Sequence, residues 1–291
     1  MNMHSLPDFD SMWDYNDPAE TGKKFFEILP NAKSSGDRSY LAQLLTQIAR
    51  TEGLQMKFDE AHKTLDEAFA LIDGQMYLPK VRYLLERGRT YNSSKVYDKA
   101  RTLFQEAYNL SNQHKFDFFT IDAAHMMGIV EKGDESLKWN ETAMKHAEAS
   151  DDKKAKGWLG SLYNNTGWTY HDMGEYDKAL DLFERNVLWH TERNTKQGLI
   201  IAKWSVARTL RSLDKVQEAH DMQIALRAES KEMGLDEDGY NSEEIGECLL
   251  LLNRPDESKA YFKKAYDLLS QDIWLMENEK VRLERLKKLG E

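Results

Sequence analysis

Asp236-Glu237-Asp238-Gly239 and the adjacent His171-Asp172 are the places where residue types able to do chemistry crowd together in this sequence. An acidic run closed by glycine suggests a calcium loop, because a hard cation needs several carboxylate oxygens around a tight turn. The glycine is misplaced for such a loop, so the run reads better as a linker or as acidic residues ahead of a helix N-terminus. His171 and Asp172 have the types of an acid/base pair, yet adjacent residues on a helix point about 100° apart and do not face each other. The eight histidines form no His-Glu-x-x-His pair, and the single cysteine, Cys248, has no thiol partner and reads as a small buried residue. Gly-x-x-x-x-Gly-Lys-Ser/Thr and Gly-x-Ser-x-Gly do not occur, so no phosphate cradle or nucleophile elbow is written here. The expectation is a chain with no cofactor, no metal site and no catalysis. An enzyme with a site assembled across distant segments is the reading this test does not reach.

The elements that must carry these residues are helices. Only five prolines and sixteen glycines are spread over 291 residues, which leaves long stretches free of breakers and argues against a many-turned β protein. With 41% hydrophobic and 31% charged residues the chain has enough apolar surface to pack and too much to be disordered. A net charge of -10 repels phosphates and anionic headgroups, so neither nucleic acid nor membrane is an expected partner. A lone cysteine fits a reducing compartment. The first residues lack a basic start followed by an apolar run, and the longest apolar run, Cys248 to Leu252, is too short to span a bilayer. Together these predict a cytoplasmic address.

Self-similarity gives the organisation. Gly167, Tyr170, Tyr176, Ala179 and Phe183 recur as Gly88, Tyr91, Tyr97, Ala100 and Phe104, and Tyr97-Asp98-Lys99-Ala100 repeats Tyr176-Asp177-Lys178-Ala179. This pattern resembles the tetratricopeptide repeat family, whose consensus places Gly, Tyr three later, Ala, and an aromatic four after that Ala. Further copies keep the frame: Ala49, Phe58, Ala61, Leu65 and Ala68; Ala207, Leu210, Val216 and Ala219; Gly246, Leu249, Ser258, Phe262 and Ala265. A more divergent copy, Ala124, Met127, Gly133, Ser136 and Ala143, carries Asn140 where an aromatic is expected. The anchors at 49, 88, 124, 167, 207 and 246 are 39, 36, 43, 40 and 39 residues apart. All exceed the family's usual period of about 34, as in kinesin-light-chain-like and bacterial peptide-sensor arrays.

The resemblance implies an all-α fold, a right-handed superhelical α-solenoid of antiparallel helix pairs with about six repeats plus capping helices. Residues 1–41 are predicted to hold an N-terminal segment and capping helix. Asp17-Pro18-Ala19-Glu20 opens that helix with an N-cap and a first-turn proline, and it is expected to close near Pro30. Residues 42–270 are the repeat array. Residues 271–291 are a C-terminal capping helix with a sparse stripe of Leu275, Leu283, Leu286 and Leu289, the whole forming one continuous solenoid.

In this family the first helix of each pair lines the concave face, and the resemblance implies that a peptide would lie there. If the anchor and the residue three later face the partner helix, offsets of -6, -3, +1 and +4 from the anchor form the exposed stripe. Among those positions the candidate groove residues are Arg50, Arg82, Arg89, Asn92, His125, Asn164, Trp168, His171, Trp204, Arg208 and Arg211. The first five stripes hold no carboxylate although acids outnumber bases in the chain. Arginine binds carboxylates with two donors, asparagine pairs with peptide N–H and C=O, and tryptophan gives a flat anchor, which together suit an acidic or C-terminal peptide. The competing reading is structural, with the arginines paired to neighbours such as Glu86 and Asp122 and the tryptophans packed between repeats. His125 and His171 read as polar groove residues, and titration near neutrality would make acidic-peptide affinity change between about pH 5.5 and about 7.5.

The function expected is a protein- or peptide-binding adaptor or scaffold. The first alternative is a peptide-responsive regulator resembling bacterial quorum-sensing arrays. Those usually carry an effector module ahead of their repeats, whereas here about forty residues precede the first anchor. The second is self-association, as a homodimer, through the convex face or an imperfect cap.

Overall fold

In the computed structural model, which describes residues 6–291, every regular element of the described residues is helical. The chain divides into two compact units, Met1–Trp158 and Leu159–Glu291. The first opens with a short 3-10 helix, Phe9–Met12, followed by α1 (Pro18–Ser35), α2 (Arg38–Leu54), α3 (Phe58–Leu71), α4 (Tyr77–Ser93), α5 (Tyr97–Gln113), α6 (Asp117–Val130), α7 (Gly133–Ala149) and the single turn α8 (Lys153–Lys156). The second holds α9 (Leu159–Asp172), α10 (Tyr176–Glu192), α11 (Lys196–Ser212), α12 (Val216–Glu232), α13 (Gly239–Leu251), α14 (Pro255–Leu269), α15 (Ile273–Asn278) and α16 (Lys280–Leu289). Hairpins α2/α3, α4/α5 and α6/α7 stack in the first unit, and α9/α10, α11/α12 and α13/α14 in the second. This is the α-solenoid of helix pairs that the repeat pattern predicts.

Two recurring positions set the geometry of each hairpin. The anchor on the first helix faces the residue sixteen positions later on the second at Ala49/Leu65, Gly88/Phe104, Gly167/Phe183, Ala207/Gln223 and Gly246/Phe262, whereas on α7 Asn140 meets Gly128 of α6. A Cβ on Gly88, Gly167 or Gly246 would stand 2.4, 2.6 or 2.9 Å from the facing phenylalanine ring, so only hydrogen fits where the partner is Phe. Where the anchor is alanine the partner is smaller, and every one of these five partners is buried. The second position is the turn. Seven residues after the anchor the backbone is left-handed at Met56 (φ 61°), Lys95 (65°), Gly174 (78°), Asp214 (59°) and Asn253 (58°), which ends the first helix and reverses the chain. After Ala124 that role falls to Gly133 (φ 56°).

Helices also flank the hairpins at each end of the described chain. Asp17 caps α1 by accepting from the Glu20 N–H at 2.9 Å, and Pro18 occupies the first turn. However, α1 does not close at Pro30; it runs on to Ser35 and stops at Gly36, whose φ of 76° supplies the left-handed exit. Burial of Ala32 against the first-unit core holds the added turn despite the missing proline N–H. At the other end Leu275, Leu283 and Leu286 are buried on Phe262 and Ala265 of α14. Among the described residues no helix is long and apolar enough to cross a membrane.

Candidate peptide-binding faces

The predicted stripe residues all lie on first helices, and four of them, Arg50, Arg89, Arg208 and Arg211, are engaged by carboxylates of the next first helix. Arg50 on α2 donates to Glu86 on α4 at 3.2 Å. Arg89 on α4 donates to Glu86 at 2.7 Å and to Asp122 on α6. Burial of all three is deep, with side-chain exposures of 14% for Arg89 and 7% for each acid, and the two carboxylates hold the Arg89 guanidinium charged against its desolvation. In the second unit Arg208 and Arg211 on α11 share one carboxylate, Glu244 on α13: Arg211 with two donors at 2.8 and 3.0 Å, Arg208 through Nε at 3.1 Å. The ladder ends on α16, where Arg282 grips Glu243 at 3.0 Å and Arg285 grips Glu247.

These pairs follow a rule. Arginine one residue after an anchor meets an acid two residues before the next anchor, as in Arg50/Glu86, Arg89/Asp122 and Arg208/Glu244. Glu86 and Asp122 are the neighbours that the competing structural reading names, and Glu244 is a third such acid that a stripe built from single helices leaves out.

Arg82 also lies at the predicted stripe but faces the N-terminal segment, donating to Asp10 with both terminal nitrogens. Asn92 is half-buried in the last turn of α4, where its carbonyl accepts the Lys95 N–H at 3.0 Å. His125 on α6 packs its ring 5.3 Å from Trp158, and its Nδ1 is buried without a hydrogen-bond partner among the described residues. Of the remaining stripe positions, Leu85 and Ile121 are core residues, so the stripe is only partly solvent-facing.

In the second unit the residues come together. Trp168 and Trp204 lie 5.8 Å apart on α9 and α11, both half-buried, and Tyr240 on α13 continues the row 6.3 Å beyond Trp204. Asn164, one turn before Trp168, has a buried Oδ1 without a partner, as has the Trp204 indole N–H. His171 hydrogen-bonds Ser212 Oγ through Nε2 at 3.0 Å, and Arg208 reaches the same hydroxyl at 2.7 Å. Its Nδ1 lies 3.9 Å from Asp172, outside hydrogen-bond reach, so the two do not form a catalytic dyad.

The other sequence features have structural partners. Asp238 caps α13 by accepting from the Tyr240 N–H, and Glu237 pairs with Arg227 and Lys264. Among the described residues no group of His, Cys, Asp or Glu is placed to hold a metal. Cys248 is fully buried, and burial pushes its thiol up to about 12, so it is protonated and inert at neutral pH.

Burial, reinforced by the Arg89 charge, holds the His125 imidazole below the ordinary histidine value of 6.5, and burial with Arg208 does the same for His171. The unfolded chain therefore binds more protons than the folded one just below pH 6.5, and stability falls as pH drops through that window. His125→Gln is expected to lose less of its melting temperature than wild type between about pH 7.5 and about 5.5. Equal losses in a thermal-melt series would mean that His125 titrates as in the unfolded chain.

Models of the tetratricopeptide repeat match residues 159–187, across α9 and α10, and residues 243–269, across α13 and α14. No curated protein matches the chain in sequence. Among solved structures, the signal transduction ATPase with numerous domains from Pyrococcus horikoshii, which has a tetratricopeptide repeat sensor, superposes with a TM-score of 0.71 at 13% identity, over 93% of this chain and 42% of that one. The apo form of RapI gives a TM-score of 0.68 at 11% identity, over 91% and 77% of the two chains. A tetratricopeptide repeat protein from Parabacteroides merdae gives 0.51 at 16% identity, over 97% and 95%. At these identities the likeness is one of fold.

Proposed function

We propose that the chain, two of whose helix pairs match tetratricopeptide repeat models, is a non-catalytic, cytoplasmic adaptor whose second unit binds a peptide carrying a carboxylate. One observation supports this reading most directly. Arg208 and Arg211 share the single carboxylate of Glu244 beside the half-buried Trp168–Trp204 pair. Two cations on one anion leave a net positive charge next to an apolar anchor, on a protein whose total charge is -10. A peptide C-terminus or acidic side chain would complete the charge balance while an apolar residue covers the indoles. Asn164, in line with Trp168, has an acceptor suited to a peptide N–H. The first-unit arginines Arg50 and Arg89 already meet two acids, so they add little attraction there.

Arg208→Ala is the test, because Arg211 keeps Glu244 paired and the fold intact. An array of peptides with free and amidated C-termini, and with and without acidic residues, is probed with wild type and variant at two salt concentrations. Wild type is expected to retain carboxylate-bearing peptides about tenfold more tightly than the variant, with the difference shrinking in salt. If the two proteins retain the same peptides equally, or wild type retains none, the second-unit face is not a carboxylate-peptide site.

A further inference from the structure

In the first unit the face that a repeat array offers to a ligand is occupied by the chain itself. Residues 8–15 read Asp-Phe-Asp-Ser-Met-Trp-Asp-Tyr, an acidic and aromatic stretch. Phe9 is 6% exposed and packs edge-on against Phe25 and Tyr40, with ring centroids 6.5 and 5.2 Å away. Asp10 takes both terminal nitrogens of Arg82 on α4, one of them at 3.0 Å, and lies 3.5 Å from Lys154 Nζ. The Trp13 indole N–H donates to Gln47 Oε1 on α2 at 3.0 Å. Tyr15 stacks on Trp13 at 4.7 Å, with the Arg50 guanidinium 5.9 Å from its ring.

These grips come from side chains. The backbone of this stretch touches the rest of the unit at few points: Pro7 C=O accepts the Tyr40 hydroxyl at 2.8 Å, and Asp14 exchanges hydrogen bonds with Thr21 Oγ1. Two cations of the surface beneath converge on the segment's Asp10. Among the described residues Arg82 and Lys154 find their carboxylate in Asp10, two positive charges on one negative. Arg82 is 7% exposed, and its Nε is buried without an acceptor. An open cavity of about 390 Å³ that includes Asp10 continues the face, walled by Leu78, Phe116, Phe118 and Phe119, with three bases (Arg82, Lys115, Lys154) and three acids (Asp10, Asp117, Asp152) around it. A longer ligand would find aromatic walls there, with Arg82 and Lys154 at the Asp10 end.

We propose that residues 8–15 are a built-in competitor on the first-unit face, and that this face binds an acidic-aromatic peptide of the same kind from a partner protein by displacing them. The proposal shares the peptide-binding reading of the family but concerns a different unit from the Trp168–Trp204 site. Tethering gives the internal segment an effective concentration in the millimolar range, so an external peptide meets a strong competitor until the segment is released.

The test uses the full chain and a labelled synthetic peptide with the sequence of residues 6–16. Asp10→Lys turns the segment's key contact repulsive toward Arg82 and Lys154 without touching the face itself. The labelled peptide is expected to bind Asp10→Lys at least about tenfold more tightly than wild type. Adding Arg82→Gln should remove the gain, and a peptide with Asn at the Asp10 position should bind at least about tenfold more weakly. If Asp10→Lys keeps wild-type helicity and binds no more tightly, the segment is a permanent part of the fold and the proposal is wrong. If the asparagine peptide binds equally well, or Arg208→Ala abolishes binding, the peptide is seated elsewhere and the proposal is equally wrong. Should Asp10→Lys fail to fold, Trp13→Ser, which gives up the Gln47 bond and the Tyr15 stack, decides the same question.

Discussion

Arg89→Ala is expected to lower stability by about 3 kcal/mol, close to the lower end of what breaking a buried ion pair costs. The cation lies between Glu86 at 2.7 Å and Asp122, both 7% exposed. Glu86 keeps Arg50 after the substitution, but Asp122 is left as a buried carboxylate without its cation. The 14% exposure of Arg89 admits some solvent and keeps the loss from the top of the range. Urea denaturation of wild type and variant measures it. The companion variant Arg89→Met with Asp122→Leu should recover most of the loss, because a buried pair replaced by apolar residues no longer leaves a charge stranded. The result bears on function, since reduced partner binding by Arg89→Ala would report an unfolding tendency rather than a lost ligand contact. If Arg89→Ala is as stable as wild type, the ladder holds nothing together and Arg89 is available to a ligand after all.

Repeat frame and charge ladder differ in how readily the sequence reveals them. The frame is visible because Gly and Ala anchors must recur wherever two helices touch, and the facing Phe104, Phe183 and Phe262 recur with them. The ladder is equally periodic, yet its acids sit two residues before the anchor and face the neighbouring first helix. A stripe drawn on one helix at a time therefore collects Arg50, Arg89 and Arg208 without Glu86, Asp122 and Glu244, and makes the face look more basic than it is. Pairing positions +1 and -2 of successive anchors would have recovered it. The Asp10–Arg82 contact spans 72 residues and belongs to no repeat, so no periodic reading reaches it. Continuation of α1 past Pro30 depends on burial of Ala32 and on Gly36, tertiary and terminal features that outweigh a proline's local preference.

Gly88→Ala should cost about 1 to 2 kcal/mol even though alanine is the better helix former, because overpacking a close helix contact outweighs a propensity gain of about 1 kcal/mol. The new Cβ would stand 2.4 Å from Cε1 and 2.7 Å from Cδ1 of Phe104, a ring that is fully buried and has no open space to swing into. Phe104→Ala should cost more, about 3 to 5 kcal/mol, by leaving a cavity between α4 and α5. The informative variant is Gly88→Ala with Phe104→Leu, which rebuilds at this hairpin the Ala49/Leu65 pair that the chain already uses between α2 and α3. Its loss should fall short of the sum of the losses of Gly88→Ala and Phe104→Leu taken singly by about 1 kcal/mol or more, the coupling expected of residues that share one volume. A double-mutant cycle by urea denaturation gives the number. Additivity within about 0.5 kcal/mol would mean that anchor and partner do not trade volume. The rule is one of space only where both partners are apolar: at the α11/α12 hairpin, Gln223 also accepts from Asn241 Nδ2 at 2.7 Å, so replacing it with Leu removes a buried hydrogen bond that no change of anchor can restore.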